Sequence, residues 1–158
     1  MSSTHAARIR HARPSDVAAI SAIVTAAYQP YVARIGRRPA PMDADYASEI
    51  NQGTVVVLDI GDLPVGVMVL HQKGDHLLID NIAVDSQRQG AGLGSLMLHF
   101  AEQEALARGL PELRLYTNAL MTENLAFYQR RGFLETGRRI DEGYDRVFFC
   151  RKLAPVAS

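Results

Sequence analysis

A glycine-rich stretch in the middle of the chain most constrains how this sequence can fold. A strand-like segment ends at Val84, glycines occupy positions 90, 92 and 94, and the apolar residues that follow have helical spacing: Leu93, Leu96, Met97 and Phe100. These glycines leave backbone amides uncovered at a helix start, where the helix dipole adds positive charge. The pattern predicts a strand, an anion-binding loop and a helix, with a diphosphate-bearing ligand in the loop. A tight turn whose glycines serve only packing is the alternative.

The length and the cysteine content set the frame around this stretch. The 158 residues correspond to one domain with its own core, so we predict a single domain over residues 1–158. Residues 1–6 and 154–158 are expected to be loose tails. The lone Cys150 cannot close an internal disulfide, which favours a reducing, cytoplasmic location.

Charge and hydropathy argue against several classes of function. The 17 basic residues are balanced by 17 acidic ones, so the chain lacks the basic excess typical of nucleic-acid-binding proteins. No segment approaches about 18 consecutive apolar residues, and the first residues contain no apolar signal core. The five histidines show no metal-ligand spacing. We therefore predict no nucleic-acid partner, no membrane partner and no metal.

Apolar periodicity and turn residues predict the element order β1-α1-α2-β2-β3-β4-α3-β5-α4-β6-β7. Asp43 is expected to cap the second helix. The strand His76–Val84 is connected through the loop and a helix to a strand over residues 113–117, a crossover length that implies a parallel pair. Glycine-containing turns join other neighbouring strands as hairpins. The expected fold is α/β (α+β), with one mixed, mostly antiparallel seven-stranded sheet flanked by helices.

Two segments together resemble a known family. Residues 87–92, Gln-Arg-Gln-Gly-Ala-Gly, are similar to the acetyl-CoA signature of the GNAT superfamily of N-acetyltransferases: Gln or Arg, two residues, Gly, one residue, Gly or Ala. One strand and one short helix later, residues 126–133, Ala-Phe-Tyr-Gln-Arg-Arg-Gly-Phe, resemble that family's Ala-x-Tyr-x-x-x-Gly-Phe segment. The resemblance implies a GNAT-like fold, acetyl-CoA as cofactor, and acetyl transfer to a primary amine by direct attack in a ternary complex.

Other nucleotide-binding motifs fit the glycine-rich loop less well. A P-loop requires Gly-Lys-Ser or Gly-Lys-Thr, whereas Ser95 follows Gly94 directly in this chain. A dinucleotide-binding fingerprint requires Gly-x-Gly-x-x-Gly and an acidic residue at the end of the next strand, where this chain has Asn118. Dehydrogenase and NTPase functions are therefore disfavoured.

The resemblance assigns the cofactor mainly to backbone groups. It implies that the strand end, formed by Ile82, Ala83 and Val84, splays from its parallel neighbour and exposes backbone groups to the pantetheine arm. The Ile82 amide is the predicted donor to the acetyl oxygen. The diphosphate would lie on backbone amides of the loop and the helix start, and the Ser95 hydroxyl would add a donor. The residues of this predicted diphosphate site are Gln89, Gly90, Ala91, Gly92, Leu93, Gly94 and Ser95. Met121 occupies a position where the family usually has a pantetheine-binding asparagine, so Asn118 or Asn124 would have to replace it.

Acetyl transfer requires an unprotonated amine, a stabilised carbonyl oxygen and a proton for the departing thiolate. Tyr128 matches the family's tyrosine that donates to the sulfur, although its helical spacing also suits packing. Asp80 lies on the same strand face as Ile82 if alternation is regular, and is the candidate general base. His76, Glu49 and a chain of water molecules are the alternatives.

The segment from Tyr28 to Tyr46 is where the family usually builds its substrate site. Aromatic and guanidinium groups occur there, at Tyr28, Tyr31, Arg37 and Arg38, and would suit an amine that also carries an anion. Charged residues after a helix also commonly form only a solvated face. We expect a small-molecule amine as substrate. A non-catalytic acyl-CoA-binding or interaction module is the alternative, and the resemblance also allows a homodimer.

Overall fold

The computed structural model describes residues 6–153 of the chain. Its helices and strands follow the predicted order: β1 Ala7–His11, α1 Val17–Ile35, α2 Tyr46–Asn51, β2 Val55–Ile60, β3 Leu63–Lys73, β4 His76–Val84, α3 Leu93–Ala107, β5 Glu112–Asn118, α4 Thr122–Arg130, β6 Leu134–Asp141 and β7 Tyr144–Lys152. Short 3-10 helices precede α1, α2 and α3. Residues 1–5 of the predicted tail 1–6, and the whole predicted tail 154–158, lie outside the described residues.

The seven strands form one mixed sheet in the order β1-β2-β3-β4-β5-β7-β6. Strands β1 and β2, β2 and β3, β5 and β7, and β6 and β7 pair antiparallel, whereas β4 and β5 are parallel. The prediction of a mostly antiparallel sheet with one parallel crossover is therefore confirmed. The parallel ladder runs from His76–Glu112 to Ile79–Leu115, and each strand continues beyond it.

The start of α2 corrects one sequence-based expectation. Asp43, the predicted cap, lies in the 3-10 helix Ala40–Asp43, and the N-cap of α2 is Asp45. The Asp45 carboxylate accepts a hydrogen bond of 3.0 Å from the Ser48 amide. Two aspartates stand two residues apart before this helix, and only Asp45 lies directly before its first residue, with its carboxylate on the Ser48 amide, whereas Asp43 belongs to the preceding 3-10 helix.

Contacts divide the chain into two compact units. One contains the described residues up to Leu70 together with Asn81–Phe100, and the other contains His71–Asp80 and the described residues from Ala101 onward. The first has a core of buried residues from α1, α2, β2, β3 and β4: Ile20, Ile23, Val24, Tyr46, Ile50, Val55, Val57, Val67, Val69 and Ala83. Buried residues of the second include Leu113, Leu115, Phe133, Val147 and Phe149. The single domain over residues 1–158 stays a prediction.

A buried ionic network fixes β1 within the first unit. The Arg10 guanidinium donates to Asp59 at 2.7 Å and to Asp16 at 2.8 and 3.1 Å. Both carboxylates are buried, and Asp16 also accepts from the Arg13 amide at 2.6 Å. The hydrogen bonds from Arg10 lower the pKa of Asp16 below its usual value. A planar guanidinium fork is the cation that can serve both carboxylates at once.

Arg10→Lys should therefore destabilise the fold by about 1–2 kcal/mol at pH 7, because an ammonium keeps the charge but loses the fork. The depressed pKa of Asp16 contributes stability that is present above the unfolded value near 4 and is lost as pH falls through the lower folded value. Lysine should lower the pKa of Asp16 less than arginine does. The difference in free energy of unfolding between wild type and variant should therefore narrow below about pH 4. Urea unfolding at pH 7 and at pH 3 measures this difference in free energy of unfolding at each pH. Equal differences at the two pH values would contradict this account.

Candidate active site

The glycine-rich loop leaves β4 through a tight turn in the first unit. The Asp85 amide donates to the Val65 carbonyl at 2.7 Å, and the Asp85 carboxylate accepts from the Gln87 amide at 3.0 Å. After the 3-10 helix Ser86–Arg88, the chain enters α3 at Leu93. The turn and the 3-10 helix therefore carry the chain from the end of β4 to the start of α3, where the first helix amides have no partner within the helix.

Two glycines in this loop adopt a left-handed backbone. The φ angles are +88° at Gly90 and +80° at Gly92, a region that residues with a side chain rarely enter. A Cβ atom added at either position would meet no described atom within 4 Å. Residues 89–92 are exposed, and the Leu96 amide is bonded back to the Gly92 carbonyl at 3.1 Å, so the amides just before Leu96 start the helix. The loop is open, and its donor set fits a phosphate group.

The helix behind this loop lies close to β3. The Cβ position of Gly66 on β3 is 3.1 Å from Sδ and Cε of Met97 on α3, and 3.3 Å from Cβ of Leu58. Met97 is fully buried. A residue without a side chain at position 66 therefore allows α3 to pack directly on the strand.

Gly66→Ala should destabilise the fold by about 1–2 kcal/mol, because the added methyl group forces Met97 or the helix to shift. Met97→Ala shortens the opposing side chain. The double variant Gly66→Ala/Met97→Ala should therefore lose less free energy of unfolding than the sum of the losses in the two single variants. Thermal or urea unfolding of the four proteins measures the coupling. If the stability losses of Gly66→Ala and Met97→Ala simply added in the double variant, the close contact between positions 66 and 97 would not limit how α3 packs on β3.

Strand β4 alternates regularly between buried and half-buried side chains. Leu77, Ile79, Asn81 and Ala83 are buried, whereas His76, Leu78, Asp80, Ile82 and Val84 are half-buried. Because strand side chains alternate between faces, this pattern agrees with the expectation that Asp80 and Ile82 share a face.

A buried hydrogen-bond network in the first unit was not anticipated from the sequence. The Asn81 side chain donates to the Tyr46 hydroxyl at 2.7 Å, and that hydroxyl donates to the Pro41 carbonyl at 2.6 Å. The Tyr28 hydroxyl donates to Asn81 Oδ1 at 2.8 Å, with Ile82 O at 3.3 Å. Tyr28, predicted to bind substrate, thus places its hydroxyl on β4. The available signal was an asparagine among the apolar residues of a central strand.

The second unit places Asp80 beside a tyrosine that the sequence had not singled out. The Tyr116 hydroxyl donates to Asp80 Oδ1 at 2.6 Å, one position beyond the last parallel pair of β4 and β5. Asp80 Oδ2 receives no hydrogen bond from residues 6–153. Burial, followed by the bond to Asp80, raises the pKa of Tyr116 above its usual value. Tyr116 therefore stays protonated and acts as a donor at neutral pH.

Tyr128 combines a buried ring with an unengaged hydroxyl. The residue is 5% exposed, and its ring lies 5.8 Å from that of Phe133 and 6.0 Å from that of Phe149. Burial raises the pKa of the phenol above its usual value, so it holds its proton at neutral pH. The hydroxyl forms no hydrogen bond with another residue of 6–153. The ring thus packs as core, and its proton is not committed to a described acceptor.

The two asparagines that could replace the family contact are both engaged at the entry to α4. The Asn118 side-chain oxygen Oδ1 accepts from the Leu120 amide at 2.9 Å, which shapes the turn before the helix. The Asn124 amide lies 3.3 Å from the Thr117 hydroxyl. Met121 is buried. Asn118 keeps its side-chain NH₂ group for another acceptor, whereas Asn124 spends one donor on Thr117.

The remaining predicted substrate residues lie at the end of α1 and after it. Tyr31 lies 4.9 Å below the guanidinium carbon of Arg34. Arg38 pairs with Asp43 at 2.9 Å between exposed side chains, and Arg37 is exposed. Part of this positive charge is therefore neutralised within the protein.

A family model described as the acetyltransferase (GNAT) family matches residues 18–133, which is more than half of the chain. The chain belongs to the GNAT acetyltransferase family. This assignment confirms the family and enzyme class predicted from the glycine-rich loop and the Tyr128 segment. A search of curated proteins found no match in sequence.

Solved GNAT structures share the fold at low sequence identity. PaiA N-acetyltransferase from Thermoplasma acidophilum, solved in complex with coenzyme A, is 15% identical with a TM-score of 0.77, covering 93% of this chain and 99% of that one. The ribosomal-protein-S18-alanine N-acetyltransferase from Escherichia coli is 22% identical, with a TM-score of 0.76 and 97% of each chain covered. N-acetylglutamate synthase from Neisseria gonorrhoeae, solved with coenzyme A and N-acetyl-glutamate, is 19% identical with a TM-score of 0.72, covering 94% of this chain and 35% of that one.

Within residues 6–153, no group of three or more His, Cys, Asp or Glu side chains is arranged to hold a metal ion. None of the helices in the same range is both long and apolar enough to cross a membrane.

Proposed function

We propose that this GNAT protein transfers an acetyl group from acetyl-CoA to a primary amine of a small molecule or peptide, by direct attack in a ternary complex. The observation that carries the proposal is the exposed loop of residues 89–92 at the start of α3. Its left-handed glycines, φ +88° and +80°, are open where a phosphate would approach the helix amides. Membership of the GNAT acetyltransferase family supports acetyl-CoA as the ligand of this loop.

Cofactor binding would fall on backbone groups, the Ser95 hydroxyl and one asparagine side chain. The amides at the start of α3, with the Ser95 hydroxyl, would hold the diphosphate. Backbone groups of Ile82, Ala83 and Val84 would contact the pantetheine arm. Asn118, whose NH₂ group is not used by the Leu120 turn, is the better replacement for the asparagine missing at Met121. Bound acetyl-CoA would supply the thioester.

The Ile82 amide would donate to the acetyl carbonyl oxygen. The Asp85 amide is bonded to β3, at the Val65 carbonyl, and strand alternation turns the amide three residues earlier to the opposite edge. The Ile82 carbonyl, which points to the same edge as its amide, lies 3.3 Å from the Tyr28 hydroxyl. This orientation supports the oxyanion role assigned to Ile82.

Asp80 would accept the proton of the attacking amine, and Tyr128 would give a proton to the departing thiolate. The free Oδ2 of Asp80 supports the first role, because a base needs an oxygen that no other donor occupies. The retained phenol proton of Tyr128 supports the second role. His76 instead hydrogen-bonds Asp75, and Glu49 accepts from Thr54, so both alternatives are already engaged.

The residues at the end of α1 and after it bear on the chemical class of the acceptor amine. Exposed Arg37 favours an amine that also carries an anionic group, whereas the Arg38 ion pair with Asp43 would have to open. Solved relatives named for ribosomal-protein-S18-alanine and for N-acetylglutamate illustrate protein and small-molecule acceptors on this fold. We favour a small-molecule amine, and a cytoplasmic location and a homodimer remain predictions.

A non-catalytic acyl-CoA-binding module on the same fold is the second candidate. Tyr128 argues against it, because a binder has no use for an uncommitted phenol proton. Calorimetry with acetyl-CoA, followed by mass spectrometry of a panel of primary amines, distinguishes the two. Direct detection of acetylated product avoids thiol reagents, which would also report the half-buried Cys150. Binding with product supports the enzyme, binding without product supports the module, and an absence of binding heat would contradict both.

A further inference from the structure

The contacts of Asp80 point to a second residue needed for the proposed base. Its one hydrogen-bond donor within residues 6–153 is the Tyr116 hydroxyl, 2.6 Å from Oδ1. We propose that Tyr116 is a positioning residue that holds the Asp80 carboxylate so that Oδ2 faces the acceptor amine. This inference rests on the proposed function, in which Asp80 receives the amine proton.

The Tyr116 ring is held by packing on β5 and β7. The guanidinium carbon of Arg146 lies 4.4 Å from the ring centroid, and the Phe148 ring is 5.8 Å away. Arg146 is itself buried, with its side chain 7% exposed, and it pairs with Asp141 at 2.9 Å and with Glu142 at 3.6 Å. A ring fixed in this way directs its hydroxyl at a single point.

The hydrogen bond has a fixed direction. Burial raises the pKa of Tyr116, so the phenol donates to Oδ1 and does not compete for protons at neutral pH. A carboxylate with one oxygen bonded loses much of its rotational freedom about the Cβ–Cγ bond. Its second oxygen is then presented in one orientation, which is what proton transfer from a bound amine requires.

A double-mutant cycle tests the inference by steady-state kinetics with the best amine of the panel. Tyr116→Phe should lower kcat about tenfold, the scale of losing one hydrogen bond to a charged group, and should leave the KM for acetyl-CoA unchanged. Asp80→Asn should lower kcat by about a hundredfold or more. In the Asp80→Asn background, Tyr116→Phe should cause no further loss, since the hydroxyl acts only through the carboxylate.

Tyr144→Phe is the matched control, because the Tyr144 ring also lies near Arg146, 5.6 Å from its guanidinium carbon, but its hydroxyl is not hydrogen-bonded to Asp80. Its kcat should match wild type. An additive cycle, or a Tyr116→Phe protein with wild-type kcat, overturns the positioning role while leaving the base intact. If Asp80→Asn keeps wild-type kcat, the base role fails and the inference fails with it. A KM for acetyl-CoA that rises along with a lowered melting temperature would indicate a merely structural Tyr116.

Discussion

Tyr128→Phe should lower turnover about a hundredfold while acetyl-CoA affinity stays within about twofold, as expected when a general acid is removed. Phenylalanine preserves the ring that packs near Phe133 and Phe149, so the core and the binding surface remain. The change removes only the hydroxyl, whose proton has no acceptor among the described residues. The raised pKa of the phenol means that wild type keeps this proton across pH 7–9, so turnover should not fall over that range through loss of the acid.

Single-turnover kinetics with direct product detection measures the chemical step, and calorimetry measures acetyl-CoA binding. Tyr144→Phe again provides the control, since it removes a hydroxyl from another buried tyrosine of the same unit. Turnover equal to wild type in Tyr128→Phe would remove the residue from the acid role and leave it as a core residue. Equal losses of binding and turnover would indicate that the hydroxyl contributes to cofactor binding instead.

The sequence predicted those features of the fold that depend on local patterns. The order of strands and helices followed from apolar periodicity, and β4 was predicted at its observed bounds, His76–Val84, because turn residues flank it on both sides. The family followed from two short motifs, one around Gly90 and one around Tyr128. Such features are encoded within a few residues, so a single sequence suffices to find them.

Contacts between distant side chains could not be predicted in the same way. The Tyr116–Asp80 hydrogen bond joins residues 36 positions apart, and Tyr28 and Asn81 are 53 positions apart. Each depends on strand register and helix placement, which periodicity alone leaves undetermined. The α2 cap illustrates the local limit, because Asp43 and Asp45 offer the same chemistry and only backbone geometry decides between them. The one sequence signal for these hydrogen-bond networks was a polar residue, such as Asn81, within an otherwise apolar strand.

Gly92→Asp should weaken acetyl-CoA binding by about a hundredfold or more, since two unit charges about 4 Å apart near a protein surface repel by about 4 kcal/mol. The substitution places a carboxylate where the loop is open and where the helix amides would hold the diphosphate. It also imposes a side chain on a backbone at φ +80°, a strain that by itself would lower stability rather than affinity.

Gly109→Asp separates the two effects. Gly109 follows the other end of α3, has a similar φ of +69°, and likewise has no described atom within 4 Å of an added Cβ. Both variants should lose stability in thermal unfolding through backbone strain, Gly109→Asp more so because its carboxylate lies at the negative end of the helix dipole, but only Gly92→Asp should lose acetyl-CoA affinity in calorimetry. Wild-type acetyl-CoA affinity in both variants would place the diphosphate elsewhere. An equal loss of affinity in both variants would show that backbone strain, and not charge at the α3 N-terminus, controls binding. A selective loss at position 92 that shrinks as salt is added would show that the opposing charges act at the helix start, because screening weakens exposed charge pairs.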